Sequence, residues 1–134
     1  MILLDTMVIS ELRKAKPNLG VVSYLRAQNP QTTYLSAITI GEIEAGAERQ
    51  RGRNPAFAED LAQWLASTEL QFAQNILPVS AAIAKLWGRL SVQTGNKGID
   101  NLIAATALHH NLSVVTRNVK HFAPTGARVV NPFS

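Results

Sequence analysis

Five short runs rich in apolar residues are separated by longer stretches whose apolar residues recur at helical spacing, and this alternation is what most constrains the fold. Ile2-Leu3-Leu4, Thr33-Tyr34-Leu35, Ile76-Leu77-Pro78-Val79, Ser113-Val114-Val115-Thr116 and Arg128-Val129-Val130 read as strands. Pro78 marks the third as an edge strand or a strand end, because proline cannot donate to a ladder. Between them, helices are predicted over Val8–Lys14 and Leu19–Gln28, the second broken by Asn29-Pro30. Ser36 caps a helix from Ile38 to about Gln50, with Ile40, Ile43 and Ala47 on one stripe. A further amphipathic helix runs from Ala56 to Phe72 on Phe57, Leu61, Trp64 and Leu65. Ser80 caps one through Ile83, Leu86, Trp87 and Leu90 that stops before Gly95. The last, Ile99–His110, buries Leu102, Ile103 and Ala107 and ends at Asn111, a suitable C′ residue. Strands alternating with helices predict an α/β fold: a mostly parallel sheet of about five strands covered on both faces.

At 134 residues, with no repeat, low-complexity tract or linker, the chain is expected to form a single domain over 1–134. The absence of cysteine excludes disulfides, thiolate zinc and thiol chemistry. No basic segment precedes the first apolar residues and Asp5 interrupts them, so neither a signal peptide nor a membrane span is expected and a cytoplasmic protein is the plain reading. The net charge of +4 gathers as Arg13-Lys14-Lys16, Arg49-Arg51-Arg53 and Arg117-Lys120. Such patches suit a phosphate backbone, and they equally suit solvated helix ends.

In open parallel sheets, ligands bind outside the carboxyl ends of the strands. Asp5 follows the first strand and Thr116-Arg117-Asn118 closes the fourth, so both belong to that edge. With Glu42 and Asp100 at helix beginnings, three of the chain's nine acids stand at element boundaries. Convergent carboxylates repel one another and raise each other's pKa unless a cation joins them. Mg²⁺ is suited to such a place, because it takes one or two carboxylates plus waters and substrate phosphates. Each acid also has a plainer reading: Asp5 as a helix cap, Glu42 and Asp100 as acids favoured in a first helical turn. Glu44 and Glu48 fit a solvated face. His109 and His110 are adjacent, so they cannot act as an i, i+4 metal pair. His121 is nearer the proposed site and within reach of a phosphate, but is not expected to ligate. There is no nucleophile elbow, and Gly41 to Gly46 continues into Ala47-Glu48 rather than the Lys-Ser/Thr of a phosphate loop, which argues against nucleotide binding.

Taken together, these segments resemble one family. Met1-Ile-Leu-Leu-Asp-Thr-Met-Val-Ile-Ser-Glu11 is similar to the opening of PIN-domain proteins of the VapC toxin type. Gly41-Glu42-Ile43 with Gly46 resembles their second motif, and Asp100-Asn-Leu-Ile-Ala-Ala-Thr-Ala107 their third. Val115-Thr116-Arg117-Asn118 through Phe122, then Asn131-Pro132-Phe133, resembles the end. The resemblance spans nearly the whole chain in order and spacing. It implies a PIN-like three-layer sandwich and a Mg²⁺- or Mn²⁺-dependent endoribonuclease that cleaves RNA as the toxin of a type II toxin–antitoxin system. A VapB-type antitoxin and a homodimer are the implied partners. Carried over motif by motif, Asp5, Glu42 and Asp100 form the acidic catalytic site, with the metal on Asp5 and Asp100. Thr6, Thr116 and Asn118 support it, and Arg117 and Lys120 steer the RNA backbone.

Two departures stand out. Met7 occupies a position where the family usually has Asn or Ser, and a thioether is a weak acceptor and no donor. It has a plain reading as a packing residue against the first helix. The often acidic fourth corner is here Asn118 with His121, which puts a second metal in doubt. These departures motivate an alternative, a catalytically weak PIN-like module that binds RNA or protein.

Overall fold

The computed structural model describes residues 1–134. Its strands are β1 (Ile2–Leu4), β2 (Thr33–Ser36), β3 (Ile76–Leu77), β4 (Ser113–Val115) and β5 (Val129–Val130). Its helices are α1 (Thr6–Glu11), α2 (Leu19–Arg26), α3 (Ala37–Gln50), α4 (Pro55–Gln71), α5 (Ala81–Thr94), α6 (Ile99–His110) and α7 (Val119–Phe122). The sheet order is β3-β2-β1-β4-β5 and every pairing is parallel. The expected mostly parallel sheet is thus wholly parallel, and the Pro78 strand does lie at an edge.

The register aligns Leu3 with Tyr34 and Val114, and Leu4 with Val115. Alternate side chains of a strand point to opposite faces, and the core divides accordingly. Leu3 and Val114 join Ile83, Leu90, Ile103 and Phe122 on the side covered by α5, α6 and α7. Ile2, Leu4, Leu35 and Val115 join Val8, Val21, Ile43 and Leu65 on the side covered by α1 to α4. Helices on both faces of the sheet make three layers. The chain builds β2 and β3 outward on one side of β1, then crosses to β4 and β5 on the other. The order therefore reverses beside β1, and the crevice at the carboxyl ends of β1 and β4 is where such sheets bind ligands.

Local chemistry sets the element boundaries. Asp5, Asn18, Ser36, Asn54 and Ser80 each cap a helix, with a side-chain oxygen accepting from a backbone N–H. Such caps are each worth about 1 kcal/mol. Helix α5 ends at Gly95 (φ 73°) and α6 at Asn111 (φ 58°), the left-handed turns that release a chain from a helix.

Several boundaries differ from expectation for identifiable reasons. The Asp5 cap starts α1 at Thr6, two residues before Val8. The start of α3 at Ala37 moves Glu42 into the second turn, beyond the reach of the helix-dipole argument. Leu102 is half-buried, whereas Asn101, Ala104, Ala105 and Thr106 are buried, because α6 is enclosed on most of its sides. Helix α7 and the 3-10 turns at Pro30–Thr32 and Ala123–Thr125 are too short to show a period. Met7 is 40 % exposed on α1 itself, not packed against it.

Asn111 is the one non-glycine residue with positive φ. Asn111→Ala should cost about 1 kcal/mol in urea unfolding, since a Cβ without a local hydrogen bond is strained there. Asn111→Gly should cost less than Asn111→Ala, because it relieves the strain and loses only the exposed bond from Arg128 to the Asn111 side chain at 3.1 Å.

Candidate active site

Asp5 continues the sheet by one residue, its N–H donating to the Val115 carbonyl at 2.9 Å. The chain then turns into α1, which leaves the carboxylate at the crevice between β1 and β4. Asp5 is only 4 % exposed. Its Oδ1 accepts from the Thr6 N–H at 2.8 Å, and its Oδ2 accepts from the Thr116 hydroxyl at 2.7 Å. Thr116 is fully buried, and its oxygen accepts in turn from the Asn118 N–H at 2.9 Å. The last residues of the β4 segment are therefore tied to the first residue after β1. The cap and the site readings of Asp5 are compatible: one oxygen caps α1 while the other meets Thr116.

Thr6 extends the network. Its hydroxyl lies in hydrogen-bond contact with the Glu42 carboxylate and, at 3.1 Å, with the buried Thr39 hydroxyl. Glu42 is half-buried and reaches the site from the second turn of α3. Asp100 comes from the first turn of α6, on the opposite layer, and its Oδ2 lies 2.9 Å from Nδ1 of His121. Asn101, its buried neighbour, donates to the Thr94 hydroxyl at 2.8 Å and the Asn96 carbonyl at 2.6 Å, fixing the loop that delivers Asp100.

The electrostatics of Asp5 register the convergence. Burial pushes its carboxyl above the ordinary range, and the charges of Asp100 and Glu42 push in the same direction. The hydrogen bonds from Thr116 and the Thr6 N–H pull the other way without cancelling this. A buried carboxylate facing two more is a ready place for a hard cation, which would remove the repulsion. No three Asp, Glu or His side chains stand close enough to form a complete protein cage. Mg²⁺ does not require one, since it keeps several waters beside one or two carboxylates. The oxygen donors fit that ion, with Asp5 and Asp100 as the pair on either side.

The expected residues thus divide. Asp5, Thr6, Glu42, Thr116 and Asn118 form one hydrogen-bonded group, and Asp100 faces it electrostatically. Lys120 is exposed, and Arg117 turns its guanidinium over the Phe133 ring, 4.8 Å from the centroid. The Asn118 amide nitrogen lies 3.1 Å from the Met7 sulfur, so the two departures from the family pattern touch each other. Glu44 and Glu48 lie at the surface and pair with Arg51, as a solvated face should. Thr39 is a participant not expected from the sequence, and His121, expected near the site, meets Asp100 there. Thr39 carried no signal; His121 had one, three residues after Asn118. An apolar cavity of about 350 Å³ beside Leu4, Ile9, Leu12 and Leu25 is lined by no titratable residue and is separate from this chemistry.

Oxygen donors gathered at the switch point of a three-layer parallel sheet define the class, and the sequence matches the PIN domain over residues 2–125. The chain belongs to the PIN-domain family. It is 34 % identical over 139 residues to the VapC ribonuclease Y4jK of Sinorhizobium fredii, covering 99 % of this chain and 98 % of that protein. Among solved structures it superposes on FitAcB from Neisseria gonorrhoeae with a TM-score of 0.87 and 36 % identity, covering 98 % of each chain. A toxin–antitoxin complex from Klebsiella pneumoniae gives a TM-score of 0.73 at 28 % identity, covering 100 % of this chain and 99 % of that one. No helix is long and apolar enough to cross a membrane.

The raised Asp5 pKa has a stability consequence. Between its ordinary value of 3.8 and its raised folded value, the folded chain binds more protons than the unfolded one. Stability contributed by protonated Asp5 is therefore lost as pH rises through that window. In EDTA, the Tm advantage of Asp5→Asn over the parent should grow from acid toward neutral pH and then level off. A pH-independent difference would contradict the assignment.

Proposed function

We propose that this chain is a Mg²⁺- or Mn²⁺-dependent endoribonuclease, the toxin of a type II toxin–antitoxin pair. Residues 1–134 form its single nuclease domain, and cytoplasmic RNA is its substrate. The observation that carries the reading is the buried Asp5 carboxylate, fixed by Thr116 and Thr6 and facing both Asp100 and Glu42. Membership of the PIN family and similarity to a VapC ribonuclease support the chemistry. Similarity to a chain of a toxin–antitoxin complex supports a VapB-type antitoxin as partner; a homodimer is the assembly that the family resemblance implies.

In this mechanism Asp5 and Asp100 would hold the cation, which would supply Lewis-acid activation of water and charge neutralisation at the scissile phosphate. Thr116 keeps Asp5 Oδ2 in place by donating to it, and the Thr6 N–H does the same for Oδ1. Glu42, steadied by the Thr6 hydroxyl, orients the attacking water. Arg117 and Lys120 supply positive charge along the RNA backbone.

Cleavage of single-stranded RNA should require Mg²⁺ or Mn²⁺ and vanish in EDTA. Asp5→Asn and Asp100→Asn should each lose roughly a hundredfold or more in kcat, the scale of removing a group that stabilises transition-state charge. Thr116→Val should weaken the metal requirement's midpoint by about tenfold to a hundredfold, the usual effect of losing a ligand's hydrogen-bond partner. Cleavage that persists in EDTA and in Asp5→Asn would refute the metal mechanism.

The contact between Asn118 and Met7 favours a second reading, a catalytically weak module that binds RNA or protein. An amide engaged with a thioether offers less to a cation than a carboxylate does. Robust cleavage by the parent eliminates this reading, whereas activity appearing only in Met7→Asn supports it.

A further inference from the structure

We propose that Phe133 is a positioning residue for Arg117: the Asn131–Ser134 segment acts as a clamp that holds one guanidinium beside the strand end whose Thr116 binds Asp5. The inference rests on the ribonuclease reading above, because RNA phosphate is what Arg117 is held for.

Arg117 sits between two residues fixed by a single buried hydroxyl. Thr116 donates to Asp5 Oδ2 and accepts the Asn118 N–H, so the Arg117 backbone is held one residue from the central carboxylate. Its side chain is exposed, and a free arginine of this kind carries about 2 kcal/mol of rotamer entropy. The Phe133 ring removes that freedom by stacking 4.8 Å from the guanidinium. The half-buried ring itself packs on the core cluster containing Val8 and Val21, so it offers a stationary surface.

The segment carrying the ring follows β5, where the Thr116 N–H donates to the Val130 carbonyl at 2.9 Å, and is fastened beyond the ring at Ser134. The Phe133 N–H donates to the Asn131 side chain at 3.0 Å. Asn18 accepts from the Ser134 N–H at 3.1 Å and donates to the Ser134 carbonyl at 3.2 Å. The Gly20 N–H donates to the Ser134 hydroxyl at 3.3 Å. Asn18 is itself anchored, its N–H donating to the buried Glu11 carboxylate at 2.9 Å, and Glu11 is paired with Lys14. The seat is cut to fit glycine: a Cβ on Gly20 would fall 2.5 Å from the Pro132 carbonyl oxygen.

The arrangement points to function because of what it leaves free. Arg117, like most of the chain's cations, has no carboxylate within ion-pair distance, although Glu11 lies near enough to feel its charge. Stacking engages the face of a guanidinium and leaves its N–H edge available for the paired oxygens of a phosphate.

The test is steady-state cleavage of a fluorescent single-stranded RNA in Mn²⁺, at several salt concentrations. Phe133→Leu should raise KM roughly threefold to tenfold, the range of a cation–π contact, with kcat near the parent's. Phe133→Trp should keep the parent KM. Gly20→Ala, which displaces the clamp without touching the pocket, should shift KM in the same direction as Phe133→Leu. Arg117→Ala should raise KM and flatten the dependence of log(kcat/KM) on log salt by about 0.7, the share of one phosphate on a single strand. Adding Phe133→Leu to Arg117→Ala should then change nothing further, because the two act as one unit. If Phe133→Leu raises KM as much without Arg117 as with it, or lowers kcat alone, the inference is overturned. Active parent with an indistinguishable Phe133→Leu overturns the inference alone. A parent that cleaves no RNA overturns the ribonuclease reading and this inference with it.

Discussion

The bond from the Thr116 hydroxyl to Asp5 Oδ2 joins the two central strands' carboxyl ends and fixes the most buried acid of the site. On one side it depends on the β1–β4 register, which sets Leu4 against Val115 and so brings residues 5 and 116 together. On the other it leads outward through the Asn118 N–H to the segment that carries Arg117. Thr6 carries the same network into α3 through Glu42 and Thr39, while α6 brings Asp100 from the opposite layer. A shift of one residue in the β1–β4 pairing would turn Leu3 and Leu4 to the wrong faces and separate Asp5 from Thr116 at once.

The site also works against the fold. Asp5 is ionised only against its burial and against two neighbouring carboxylates. Elsewhere the buried polar side chains have found partners, with no orphaned buried polar side-chain atom anywhere in the chain. The unfavourable electrostatics are therefore concentrated where a cation would relieve them. Strain of this kind at a cleft is the usual mark of a functional group rather than of poor packing.

Much of this was legible in the sequence, for physical reasons that differ by element. Helices α4 and α5 are long enough to show a period, α5 carries the Ser80 cap, and α6 ends at Asn111 as its left-handed turn requires. The strands were legible as short apolar runs, because a sheet buried on both faces permits little else. Helix α7, one turn long, could show no period. Asp5 was readable from its place after an apolar run. Glu42 and Asp100 were ambiguous singly, and the boundary of α3 was needed to move Glu42 out of the first turn. Thr39, His121 on Asp100, and the Met7–Asn118 contact join residues far apart in the chain, and no local pattern encodes such meetings. The stacking of Arg117 on Phe133 is of the same kind: the motif was visible, its partner was not.

Asp5 and Asp100 are proposed to face each other across one cation site. A crystal grown with Mn²⁺ and measured at a wavelength with strong manganese anomalous scattering tests it directly. An anomalous peak bonded to carboxylate oxygens of both residues at about 2.0–2.3 Å is expected, with Glu42 turned toward the same ion or its waters. A peak located elsewhere, or its absence at saturating Mn²⁺ with the two carboxylates turned apart, would contradict it.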